Sequence, residues 1–101
     1  MQKVFMVYMV ANRKHGALYL GMTGNPIGRI WLHREGVLAG FTKRYGIKKL
    51  VWYEFHENAI SAITREKQLK DWHRPWKDRL IEEMNPDWRD LYPVLTGERE
   101  G

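Results

Sequence analysis

Val4 to Ala11 is an unbroken apolar run, and it constrains the fold more than any other stretch of this chain. Its eight residues fall far short of the ~20 that a membrane-crossing helix needs. Its flanks argue against a secretory leader: only Lys3 precedes it as a cation, and Asn12-Arg13-Lys14 stand where small residues would mark a cleavage site. The run is rich in Val, Phe and Tyr and is apolar on both alternating faces. That is the pattern of a central strand covered on both sides. At 101 residues the chain is long enough for one domain with a modest core, expected over residues 1–95. Thr96 to Gly101 is polar and expected to fray.

The other elements follow from turn and cap signals. Asn12 to Gly16 is a turn, and Ala17–Met22 returns as a second strand, making a hairpin. Asn25-Pro26 reads as an N-cap followed by proline in the first helical position, with Gly36 as the stop. From Gly36 to Lys49 the chain reads as irregular, interrupted by Gly40 and Gly46. Leu50–His56 is a third strand. Asn58 caps a second helix that runs to about Trp72, His73-Arg74-Pro75 breaks it, and a third helix runs from Pro75 to near Asn85-Pro86. This order, β-β-α-β-α-α, predicts an α+β fold: a small three-stranded antiparallel sheet flanked by helices.

Seventeen Lys and Arg against twelve Asp and Glu leave a net charge of +5, which calls for an anionic partner. Lys43, Arg44, Lys48 and Lys49 crowd the glycine-interrupted stretch and are the candidate nucleic-acid contacts. Five Trp and five Tyr suit stacking on bases as well as core packing. The absence of cysteine excludes disulfides and thiolate metal sites and leaves the cytoplasm as the default compartment. His15, His33, His56 and His73 lack metal-ligand spacing, so no zinc site is expected. Gly21-Met22-Thr23-Gly24 is too short for a phosphate-cradling loop.

Glu66 is the residue whose position most needs a chemical explanation. At 100° per residue, Ala59, Ala62, Ile63 and Leu69 define an apolar arc on the second helix, and Glu66 projects into its middle. A carboxylate there must be paired, hydrogen-bonded or bound to a cation, because burying it bare costs several kcal/mol. A partly buried ion pair with Lys70, four residues on, is the other reading. On the first helix Arg29 and His33 are also four apart and share a face. Ile27, Ile30 and Trp31 are expected to cluster on the other side. An arginine fork matches a phosphate, and a histidine can donate a hydrogen bond or shuttle a proton near neutral pH. Tyr8, taken alone, is a core tyrosine whose hydroxyl reaches a partner. Tyr19 faces away from Leu18 and Leu20, and the hairpin register decides whether it joins Tyr8.

Taken in order, Val7-Tyr8-Met9, Tyr19-Leu20-Gly21, Arg29 and Glu66 resemble the GIY-YIG nuclease superfamily. Thr23, just after the second motif, and His33 match patterns seen in many members. Glu66-Lys67-Gln68-Leu69-Lys70, the stretch from Arg74 to Lys77, and Asn85-Pro86-Asp87-Trp88 look like the small, stand-alone bacterial branch. Met6-Val7 replaces Gly-Ile before the first tyrosine, and Leu20 replaces isoleucine in the second motif. Packing neighbours have changed while the chemical types survive.

The resemblance implies metal-dependent endonuclease activity on DNA, possible roles in repair or recombination, and a site made of Tyr8, Tyr19, Arg29, His33 and Glu66. One divalent ion, Mg²⁺ or Mn²⁺, would be held by Glu66 and waters. Tyr8 would accept the proton of the attacking water, which requires its phenol to be brought from about 10 toward 7. Asn85 is a late candidate for an asparagine that sometimes completes the family site. A non-catalytic nucleic-acid-binding module that keeps the fold is the alternative, and a partner-binding domain using Trp72, Trp76 and Trp88 is the third reading.

Overall fold

The computed structural model describes residues 4–38 and 40–98. Three strands, β1 (Phe5–Ala11), β2 (Leu18–Thr23) and β3 (Lys49–His56), form one antiparallel sheet in the order β2-β1-β3. The apolar run is therefore the central strand, and both of its faces are covered. Met6, Tyr8 and Val10 enter one cluster with Ile30, Ile47, Leu50 and Leu91. Val7, Met9 and Ala11 enter another with Trp52, Ala62, Leu69, Ile81 and Trp88. All six strand residues are fully buried. A one-residue slip would exchange the two faces and carry Tyr8 into the cluster of Trp88.

The pairing of β1 with β3 passes from Met9↔Trp52 to Val10↔Leu50, leaving Val51 as the extra residue of a bulge. The bulge turns Val51 and Trp52 into the same cluster, while Leu50 faces the other way.

Two of the three longer helices carry the side-chain N-caps that the sequence marks. In α1 (Pro26–Arg34) the Asn25 side chain accepts from the Gly28 amide, and in α3 (Ala59–Lys70) Asn58 does the same for Ser61. The helix after the break spans Arg74–Met84. Numbered in chain order it is α4, because a four-residue helix, α2 (Phe41–Arg44), interrupts the stretch expected to be irregular. Gly40 (φ 86°) and Gly46 (φ 61°) bracket this turn and allow the chain to enter and leave it sharply. A single helical turn is too short to print a 3.6-residue pattern.

A second unexpected turn, α5 (Tyr92–Leu95), is held by long-range contacts. The Leu91 amide donates to the Leu50 carbonyl at 2.7 Å. Asp90 accepts from the Leu50 and Tyr92 amides and pairs with Arg34, whose guanidinium lies 4.5 Å over the Tyr92 ring. Past α5, the amides of Thr96, Gly97 and Glu98 donate to Tyr92, Val94 and Pro93. Of the expected tail, residues 99–101 lie outside the described residues.

Candidate active site

The hairpin register pairs Tyr8 with Gly21 and Val10 with Tyr19, so both tyrosines stand on the α1 side of the sheet. Their rings are 6.4 Å apart between centroids. Gly21 makes this arrangement possible. A Cβ at that position would sit 2.7 Å from the Tyr8 hydroxyl oxygen, 2.8 Å from its Cζ and 3.0 Å from Tyr19 Cε2. The Tyr8 ring thus lies across the bare backbone of β2, and any side chain there would push it away.

The expected division of α1 into a polar and a packing edge does not hold. Ile27 and Trp31 are about half exposed, at 49% and 48%, whereas His33 is buried beside Ile30. The helical wheel gives the reason: His33 falls between Arg29 and Ile30, with Ile27 and Trp31 on the far side. His33 therefore packs inward, edge-on to Tyr8 with ring centroids at 5.5 Å and tilted to Tyr19 at 5.7 Å. Its Nε2 lies 3.1 Å from the Tyr8 hydroxyl. Its Nδ1 is buried without a hydrogen-bond partner among the described residues.

Burial and the neighbouring Arg29 cation hold the His33 imidazole down at about 4, so it is neutral at physiological pH. The Tyr8 phenol moves the other way, well above its ordinary value of 10. Desolvation is the main cause, with Tyr19 and Glu66 adding to it; the charge and hydrogen bond of Arg29 oppose the rise without cancelling it. The depressed phenol expected from the sequence is thus not what this environment produces.

Glu66 occupies the apolar arc of α3 as its spacing predicts, beside the buried Ala62 and Leu69, although Ile63 faces outward. Its side chain retains 20% exposure, and Lys70 Nζ stands 3.4 Å from Oε2. The partner this partly buried carboxylate needs is thus supplied in the free protein by Lys70, the ion-pair reading of Glu66. Among the described residues no three His, Cys, Asp or Glu side chains cluster as a closed metal cage.

A cleft of about 180 Å³ is lined by Tyr19, Arg29, His33, Leu38, Phe41 and Thr42. Its far wall is α2, a single helical turn between glycines, so no periodic signal in the sequence marks Phe41 and Thr42. Lys43 and Arg44 continue that helix and are exposed beside the cleft. Lys48 and Lys49 line a separate hollow with Arg34, Glu35 and Asp90, so the basic stretch is split between two surfaces. A roomier hollow of about 500 Å³, lined by Val4, Asn25, Pro26, Ile27, Phe55 and Leu95, has no titratable side chain in its wall.

Asn85 stands apart from the cleft. Its amide donates to the carbonyls of Val51 and Arg89 and accepts from the Arg89 amide. Thr23 is structural as well, accepting from the Asn25 amide ahead of α1.

A UPF0213 protein of Clostridium perfringens is 41% identical over 68 residues, covering 67% of this chain and 73% of the relative. A UPF0213 protein of Aeromonas salmonicida is 34% identical over 92 residues, 89% of this chain but 65% of the relative's length. The solution NMR structure of a UPF0213 protein from Bacillus halodurans has the same fold, with a TM-score of 0.55 at 24% identity, over 90% of this chain and 96% of that one. Among the described residues no helix is long and apolar enough to cross a membrane. Residues 4–79 match the GIY-YIG catalytic domain, a family that is generally endonucleolytic, and the chain belongs to it.

Proposed function

We propose that this protein is a divalent-metal-dependent endonuclease that hydrolyses phosphodiester bonds in structured or damaged DNA, in cytoplasmic repair or recombination. The observation that supports this best is the packing of Tyr8, Tyr19 and His33 against one another at a cleft walled by Arg29, with Arg29 and Glu66 close enough to bias the ionisation of the Tyr8 hydroxyl. A fold kept only for binding has no need of a carboxylate, a guanidinium and an imidazole around one phenol.

Glu66 suits a hydrated hard cation. Mg²⁺ takes one or two carboxylates and fills its remaining positions with water and phosphate oxygens, and Glu66 is a partly buried carboxylate already facing a cation. Such an ion, when bound, would neutralise charge on the phosphate and the leaving 3′-oxygen. Lys70 would give up its place on Glu66 and is long enough to turn toward the substrate. Arg29, at the wall of the cleft, would hold the nonbridging oxygens through its fork.

The proton path follows from the opposed shifts of Tyr8 and His33. A free tyrosinate is costly here, because burial has already raised the phenol. Tyr8 is enclosed in the free protein, so substrate binding would have to uncover its hydroxyl before it took a proton from the attacking water and passed its own to His33 Nε2 at 3.1 Å. The oxygen–phosphorus bond forms, the bond to the 3′-oxygen breaks, and solvent protonates the leaving oxygen. His33 is a weak base in the free protein partly because of Arg29. A phosphate seated on Arg29 neutralises that cation and returns basicity to the imidazole when it is needed.

Incubating the purified protein with linear, flapped and branched DNA, with and without Mg²⁺, tests the reading. Mg²⁺-dependent products with 5′-phosphate and 3′-hydroxyl ends are expected. DNA bound in a salt-sensitive way but never cut would instead favour the binding module.

A further inference from the structure

The helix that closes the cleft presents more than a wall. Phe41 opens α2 and Tyr45 caps its end; they are exposed at 48% and 46%, with ring centroids 4.9 Å apart. The Arg44 guanidinium lies 5.6 Å over the Tyr45 ring, and Lys43 is exposed between them. From Leu38 to Gly46, the stretch that holds α2, the chain carries Lys43 and Arg44 and not one carboxylate, whereas Lys48 and Lys49 line the separate hollow. Phe41 also lines the cleft that holds Arg29 and His33.

We propose that Phe41 and Tyr45 form a stacking platform for an unpaired nucleobase next to the scissile phosphate. The protein would then select DNA with splayed or single-stranded nucleotides over continuous duplex. This deepens the nuclease reading and rests on it for the position of the phosphate. Three observations converge on this occupant.

The charge is of one sign, which suits a phosphate backbone. The rings are large, flat and half open on a helix whose buried face needs only Thr42. Two aromatic faces beside basic side chains are what sequence-tolerant recognition of single strands uses, because every base offers a π-face. The platform also shares a residue with the cleft, so a base resting on it belongs to a nucleotide at or next to the one being cut. A base paired within a duplex keeps both faces stacked on its neighbours and has none to offer.

The test is binding, measured without divalent metal so that it is separate from cutting. A flapped oligonucleotide carrying 2-aminopurine at the first unpaired position is titrated with wild type, Phe41→Ala, Tyr45→Ala, the double variant and Phe41→Trp, alongside a fully paired duplex of the same length. Wild type should quench the 2-aminopurine. Loss of one ring should weaken flap binding about 5- to 100-fold, as the removal of one base–aromatic stack does. Duplex binding should stay within about threefold, and Phe41→Trp should keep the quenching. Both rings are surface-exposed, and thermal melts of each variant check that folding is intact.

Unquenched 2-aminopurine, or equal weakening of flap and duplex, would overturn the platform. Cutting of flapped DNA that persists unchanged in the double variant would overturn it while leaving the nuclease reading in place. Quenching with no cutting under Mg²⁺ would do the reverse.

Discussion

The Tyr8 hydroxyl and His33 Nε2 lie 3.1 Å apart across 25 residues of sequence, one on the central strand and one on the inward face of α1. The two groups are shifted in opposite senses, the phenol up by burial and the imidazole down to about 4 by burial and Arg29. Both are therefore neutral at pH 7, and a proton relayed through the phenol leaves its charge on His33, where a phosphate seated on Arg29 would offset it.

If the two act as one relay, their losses should not add. Tyr8→Phe and His33→Gln should each lower kcat by roughly 10²- to 10⁴-fold, the range of a positioned acid–base group. The double variant should be no slower than the worse single one, as for residues that work as a unit. Single-turnover rates on flapped DNA check this. Independent, multiplying losses would contradict the relay.

His33 also makes a pH prediction for stability. Its folded value is depressed from the ordinary 6.5 to about 4, so between these values the unfolded chain binds more protons than the native one. Stability should therefore be fully present above about 6.5 and be lost as pH falls toward 4, by at most about 3 kcal/mol. Denaturant melts across pH 4–7 should show a shallower loss in His33→Gln than in wild type. Identical slopes would show that His33 does not titrate abnormally.

Gly21→Ala tests the close approach under Tyr8. The added methyl meets ring atoms at 2.7 and 2.8 Å, and the ring is enclosed and cannot simply swing aside. Overpacking of this kind costs about 1–3 kcal/mol, and the displaced Tyr8 hydroxyl should lose His33. A lowered melting temperature together with lost cleavage is expected. An unchanged melt would mean the tyrosine has room that the geometry denies it.

These relationships differ in how far the sequence exposes them. The central strand was legible because a strand buried on both faces prints a continuous apolar run, and α1 and α3 because Asn25 and Asn58 cap them visibly. Glu66 was legible because one carboxylate interrupted an apolar arc. The inward turn of His33 was harder to see, since two large apolar neighbours, Ile27 and Trp31, suggested a packing face that the helix leaves half exposed. The role of α2 was hidden, because one turn between glycines has no period to detect and its position depends on tertiary contacts. Hydroxyl chemistry was hidden too: spacing located Tyr8, but only the packed environment gives the upward direction of its shift.

The division of the basic stretch between two surfaces predicts unequal roles. Lys43→Ala with Arg44→Ala should lower the slope of log K against log salt for DNA binding by about two, one for each lost phosphate contact. Lys48→Ala with Lys49→Ala, in the hollow shared with Glu35 and Asp90, should leave the slope near that of wild type. Salt titrations by fluorescence anisotropy distinguish the pairs, and equal reductions would mean that both surfaces meet the backbone.

The most direct test of the whole account is the rate of flapped-DNA cleavage as a function of Mg²⁺, in wild type and in Glu66→Gln, with folding of both confirmed by thermal melts. Wild type should be inert in chelator and saturate with Mg²⁺. Glu66→Gln should be slower by roughly 10²-fold or more, as the loss of several kcal/mol of charge stabilisation requires. Cleavage by wild type in chelator, or by Glu66→Gln at the wild-type rate, would contradict it.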